Sequence, residues 1–123
     1  MGRHPSAQIL NVQDKLYLID CGEGTQMQLD AYEIRKSRIR QIFISHLHGD
    51  HIYGLIGLLT SFGLLGRDKS MDIYAPYGLE DIIYTNLKYV QGTFSYPVNF
   101  HVLETSKHQR IFESKTVEVF TIP

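Results

Sequence analysis

One heptapeptide, Ser45-His46-Leu47-His48-Gly49-Asp50-His51, limits what this chain can fold into more than any other stretch. It places three histidines and a carboxylate within six positions, directly after the apolar run Ile42-Phe43-Ile44. Imidazole nitrogen and carboxylate oxygen are the donors that zinc and similar divalent ions take. Alternate side chains of a strand share a face, so His46 and His48 at a strand end leave the same side and can grip one ion. Gly49 lets the chain turn sharply. Asp50 and His51 can then face a second ion, at the roughly 3.5–4 Å separation of two-metal hydrolases. A solvated polar turn accounts for a lone histidine, but poorly for this cluster at the end of a buried strand.

Composition closes off several alternatives. At 123 residues the chain is one domain or part of one, and 43% hydrophobic content suits a globular core. A formal net charge of −1 supplies no global basic field, so any nucleic-acid contact must rest on local patches. Cys21 is the lone cysteine, which excludes an internal disulfide and fits a reducing cytosol. Its expected role is that of a small buried residue. Met1 to Ser6 is polar and holds Pro5, unlike a signal peptide, and the apolar run Ile52 to Leu65 is too short to span a bilayer. A soluble cytoplasmic protein without membrane contact is expected.

In chain order, Ala7 to Val12 and Lys15 to Cys21 predict a hairpin turning at Gln13-Asp14. Gly22 and Gly24 then mark a turn, with Thr25 expected to cap a helix. Met27, Ala31 and Ile34 are spaced as the apolar face of that helix. Arg35, Lys36, Arg38 and Arg40 crowd its expected end, where cations suit the helix dipole. The run is read as a solvated face before it is read as a phosphate contact. Gly22-Glu23-Gly24 lacks the lysine of a nucleotide-binding loop, so no ATP site is expected. Arg38 to Ser45 predicts a central strand covered on both faces. Ile52 to Leu65 predicts one buried helix, whose Gly54, Gly57 and Gly63 allow close packing on the sheet. A strand at Asp72 to Ala75 follows, then an amphipathic helix from Leu79 to Val90 with Leu79, Ile82, Ile83, Leu87 and Val90 on one side. Val98 to Leu103 predicts a strand, and Arg110 to Glu113 is expected to pair with Thr116 to Ile122. His4, His101 and His108 stand apart from the cluster, and Tyr53, Tyr74, Tyr77 and Tyr96 read as rim or core packing.

His-x-His-x-Asp-His is the hallmark of the metallo-β-lactamase superfamily. Leu18-Ile19-Asp20-Cys21-Gly22-Glu23-Gly24-Thr25-Gln26 resembles the Asp-Cys-Gly-Glu-Gly-Thr-Gln segment of its ribonuclease Z branch, the tRNA 3′-processing endonucleases. Ile42 to His51 followed by Gly54 to Leu59 is similar to that branch's core motif, and Arg3-His4-Pro5-Ser6-Ala7 to the end of its first motif. The resemblance covers most of the chain. It implies an α/β fold, the αββα sandwich, with residues 1–123 as a partial domain that forms its N-terminal half. Family members begin with a further strand and glycine-rich loop upstream of Arg3. Their next histidine ligand lies a few residues beyond Pro123, with the bridging aspartate, last histidine and tRNA-gripping arm further on.

The function implied for the parent protein is a zinc-dependent endoribonuclease that removes 3′ trailers from precursor tRNA, with two zinc ions per complete site. By this resemblance His46 and His48 hold the first ion, and Asp50 and His51 the second. Asp50 also takes the proton of the attacking water, and Asp20 hydrogen-bonds the metal loop from beneath. Two other readings stand beside it. One is another hydrolase on the same fold, such as a thioesterase, lactamase or arylsulfatase-like enzyme. The other is a catalytically silent piece serving only assembly or folding, since four ligands cannot complete two metal shells. Either way a homo-oligomer, in particular a homodimer, is expected.

Overall fold

The computed structural model describes residues 6–90 and 92–123. Arg3, His4 and Pro5 of the family-like first motif lie outside the described residues. Strands β1 (Gln8–Val12) and β2 (Lys15–Ile19) form the expected antiparallel hairpin. Gln13 and Asp14 both take positive φ, 52° and 65°, in its two-residue turn, the backbone that matches the twist of tight hairpins. There follow helix α1 (Thr25–Ala31), a 3-10 turn (Lys36–Arg38), β3 (Ile39–Phe43), α2 (Gly49–Ile52), α3 (Leu55–Leu64), β4 (Met71–Ala75), α4 (Leu79–Tyr89) and β5 (Val98–Val102). Strands β6 (Gln109–Glu113) and β7 (Glu118–Thr121) make a second, two-stranded antiparallel sheet.

The main sheet runs β1-β2-β3-β4-β5, with β2 to β5 mutually parallel. Each parallel step goes to the adjacent strand in the same direction. Right-handed crossovers therefore deliver every helix to one face. The core confirms it: Leu29 of α1, Leu55, Leu58, Leu59 and Phe62 of α3, and Leu79, Ile83 and Leu87 of α4 share one buried cluster with Leu16, Leu18, Ile42, Ile44, Met71 and Ile73. Strand alternation sends Tyr17, Phe43 and Tyr74 to the other face. There Phe112 of β6 meets the three rings edge-on, at centroid distances of 5.8, 6.0 and 6.1 Å. Both faces of β3 are thus covered, as its apolar run requires.

Several local expectations are corrected. Thr25 lies inside α1 and does not cap it: Gly24 is the N-cap, with φ 80°, and the Thr25 hydroxyl donates to the Gly22 carbonyl at 2.6 Å. That helix is only seven residues long and buries Leu29, leaving Met27 77% exposed. The basic residues therefore fall not at a helix end but on the 3-10 turn and the start of β3, where Lys36 pairs with Asp30 and Arg38 with Asp14. The predicted helix from Ile52 to Leu65 is two helices, α2 and α3, broken at Tyr53-Gly54. On α4, Ile82 is exposed beside the buried Leu79, Ile83 and Leu87, and Val90 lies past its last residue, at the C-cap, also exposed. No described helix is long and apolar enough to cross a membrane.

Candidate metal centre

The histidine cluster sits where β3 ends, at the C-terminal edge of the parallel strands, where open α/β sheets present their sites. Ile44 continues the ladder by donating its N–H to the Tyr74 carbonyl at 2.8 Å, and the chain then leaves the sheet. His46 and His48 do leave on one side. Their rings lie 5.7 Å apart and within 15° of parallel, and both border the same cavity. The His51 ring comes within 5.3 Å of His46 and 6.4 Å of His48. The single turn of α2 brings it there, with Asp50 Oδ2 3.6 Å from His51 Nε2. All four predicted ligands are therefore gathered around one loop.

Asp20 lies directly beneath. Its carboxylate is buried and accepts the Ser45 backbone N–H at 2.8 Å and the Ser45 hydroxyl at 2.9 and 3.1 Å. Its Oδ2 is also 2.9 Å from His51 Nδ1. That separation is short enough for a hydrogen bond, yet Nδ1 stands as a buried atom without an aligned partner. The two atoms are close, and the hydrogen-bond geometry between them is incomplete. Asp20 achieves this reach with a left-handed backbone, φ 62°, which asparagine and aspartate tolerate better than most side chains.

The backbone stitches the loop to the same support. Cys21 N–H donates to the His51 carbonyl at 2.6 Å, Gly54 N–H to the Cys21 carbonyl at 2.9 Å, and Ser6 N–H to the Asp50 carbonyl at 2.9 Å. Gly54 is packed so tightly against the Gly22 carbonyl that a Cβ there would collide with it. The collision explains the glycine, and the helix breaks where the Gly54 N–H turns to the Cys21 carbonyl instead of to the preceding helical turn. The close approach is to the turn and not to the sheet. Burial pushes the Cys21 thiol up to about 12, against a smaller lowering by the Thr25 hydroxyl, and the side chain packs fully buried in the core.

The donor types fit a divalent cation, with His46, His48 and Asp50 exposed and a buried carboxylate close to His51 Nδ1. Among the described residues, however, no three His, Cys, Asp or Glu side chains close around one point. The rings are neighbours and not a formed shell. His101 lies elsewhere, on Asp72 at 2.9 Å and stacked on Tyr74, and His108 lies beside Phe120. The basic residues sit at the opposite end of β3 from the cluster. Sequence reading assigned no role to Ser45, although a hydroxyl immediately before the first histidine is a visible signal.

Beside His46 and His48 opens a cavity of about 750 Å³ between the main sheet and the β6–β7 hairpin, with Tyr17, Ile19, Phe43 and Val119 among its mainly apolar walls.

Comparison with known proteins places this geometry. A family model described as Anti-Pycsar protein Apyc1 matches residues 3–120. Ribonuclease Z of Bacteroides thetaiotaomicron is 47% identical over 118 residues, which is 96% of this chain and 37% of that protein. Human tRNase Z, short form, superposes with a TM-score of 0.75 at 32% identity, over 93% of this chain and 51% of that one. The metallo-beta-lactamase fold protein YhfI from Bacillus subtilis, at 18% identity, shares the fold with a TM-score of 0.64 over 98% of this chain and 51% of its own. The chain thus spans about two fifths of the curated relatives it matches, 37% in the B. thetaiotaomicron case. It has part of the metallo-β-lactamase fold with a ribonuclease Z-type sequence, and it belongs to the family described as Anti-Pycsar protein Apyc1.

Proposed function

We propose that this chain carries the first metal-binding loop of a zinc-dependent endoribonuclease that removes 3′ trailers from precursor tRNA. The observation that carries the reading is the gathering of His46, His48, Asp50 and His51 at one strand end above buried Asp20. Relatives named Ribonuclease Z and tRNase Z supply the substrate class. Residues 1–123 are read as part of one metallo-β-lactamase domain. His46 and His48 would hold one zinc ion, and Asp50 and His51 a second. Bound zinc supplies Lewis acidity and makes water a nucleophile at neutral pH. Asp50 stands on the loop with a 54% exposed side chain, free to accept the proton of the attacking water. Asp20 holds the loop and faces His51 Nδ1, which leaves His51 Nε2 for the ion.

The test is His48→Ala in the complete protein that contains this chain. Cleavage of precursor tRNA and bound zinc should both fall, by at least about a hundredfold in rate, while the circular dichroism spectrum and thermal midpoint stay near wild type. Near-normal cleavage and zinc content would remove His48 from the ligand set. A second reading, another hydrolase on this fold, draws on the family model, whose description names a protein other than ribonuclease Z. Turnover of thioester, lactam or aryl sulfate substrates in place of precursor tRNA decides for it.

A further inference from the structure

We propose that Ser45 is a positioning residue that fixes the tautomer of His46 by linking it to the buried Asp20 carboxylate. Ser45 Oγ lies 2.9 and 3.1 Å from the two Asp20 oxygens and 3.0 Å from His46 Nδ1. As a carboxylate, Asp20 can only accept, and a serine hydroxyl has one proton to give. That proton goes to Asp20. What Ser45 Oγ then turns toward His46 is a lone pair, so Nδ1 must be the donor. A neutral imidazole carries a single N–H. With Nδ1 protonated, His46 Nε2 keeps its lone pair, the form in which a histidine can bind a cation.

Two further contacts make this more than a chance approach. The Ser45 backbone N–H also donates to Asp20 Oδ1, at 2.8 Å, so the residue is held to the carboxylate at two points. Asp20 Oδ2 meanwhile stands 2.9 Å from His51 Nδ1. Asp20 therefore reaches His46 through a hydroxyl, while its approach to His51 Nδ1 is close without being an aligned hydrogen bond. Among the described residues no hydrogen bond fixes the His48 ring, which makes His48 an internal control.

The inference rests on the proposed metal reading for its purpose, but the tautomer is measurable without metal. The experiment uses metal-free protein labelled with 15N at histidine, at mildly alkaline pH, with tautomers read from long-range 1H–15N correlations. Wild type should show His46 as the Nδ1–H form. Ser45→Ala should move His46 toward the Nε2–H form that free histidine favours and leave His48 unchanged, whereas Ser45→Thr should restore the wild-type signature. Zinc affinity by chelator competition should fall about tenfold to a hundredfold in Ser45→Ala and recover in Ser45→Thr, the usual loss when an outer partner of a ligand is removed. An Nε2–H form of His46 in wild type overturns the proposal even if Ser45→Ala does not fold. So does a His46 signature that Ser45→Ala leaves unchanged. A wild type that shows Nδ1–H at His46 yet binds no zinc supports the tautomer assignment and overturns the metal reading alone.

Discussion

Gly54 and Cys21 show how little freedom the support of the histidine loop has. Any side chain at Gly54 would meet the Gly22 carbonyl, which is backbone and cannot swing aside. Gly54→Ala should therefore destabilise by about 1–3 kcal/mol, the usual range for overpacking, with the shift read from urea melts. A variant as stable as wild type would show that the two turns do not touch. Cys21 gives a pH dependence whose sign can be worked out. Burial is the main cause that raises its folded-state value from 9.0 to about 12, while an unfolded chain ionises near 9.0. The unfolded state thus loses its proton first, and stability falls as pH rises from about 9 toward 12. Tyr96 adds to the fall at higher pH, since burial raises its phenol from 10.0 to about 12. Cys21→Ala should flatten the decline between pH 9 and 10, where the tyrosine contributes least. An unchanged pH slope in that variant, measured by denaturant titration, would remove Cys21 as the cause.

At the scale of elements, Phe112 is the residue that fastens the β6–β7 hairpin to the main sheet. Its ring meets Tyr17, Phe43 and Tyr74 at 5.8 to 6.1 Å, in edge-on geometry. Phe112 is half-buried, so Phe112→Ala should cost about 1–3 kcal/mol if the hairpin stays docked around the hole, and less if the hairpin lifts away. Hydrogen exchange distinguishes the two. Loss of protection confined to 109–121, with 39–43 and 71–75 still slow, is the expected result. Uniform loss across both sheets would mean that the hairpin and the five-stranded sheet unfold as one unit. The same elements show what the sequence made legible. The apolar runs within Lys15 to Cys21, Arg38 to Ser45 and Asp72 to Ala75 are local signals, and strands form over them. His46, His48, Asp50 and His51 stand around one loop, though among the described residues no three such side chains close around one point. Met27 was misjudged because periodicity assumes a helix long enough to present a face, and α1 is too short to present one. The break before Leu55 was missed because the Gly54 N–H there bonds the Cys21 carbonyl, more than thirty positions earlier, which no local pattern records. Ser45 was visible as a hydroxyl next to the first histidine, but its role depends on Asp20, 25 residues away.

For the whole molecule, the decisive feature is apolar surface without a cover. The main sheet ends in β1 on one side and β5 on the other, and among the described residues neither edge has a strand beyond it. Val102 on β5 is 63% exposed, and Phe120 and Ile122 lie half or mostly open beside the cavity between the sheets. Unpaired edges invite further strands, and apolar patches of this kind seek partners. The 123-residue chain on its own should therefore self-associate, with a sedimentation coefficient that rises with concentration. Salt should matter little, because the net charge is only −1 and the contact is apolar. Asp20 and Ser45 are internal to the chain, so association should leave the histidine loop intact while adding no ligands to it. With its four gathered ligands the chain should bind zinc weakly and at fewer than two ions per copy, and its cleavage of precursor tRNA should be slight. Sedimentation and metal analysis on one sample test both halves of this prediction. A monomer at every concentration would show that the apolar faces are tolerated by solvent. Two tightly held zinc ions together with full cleavage would show that four ligands suffice.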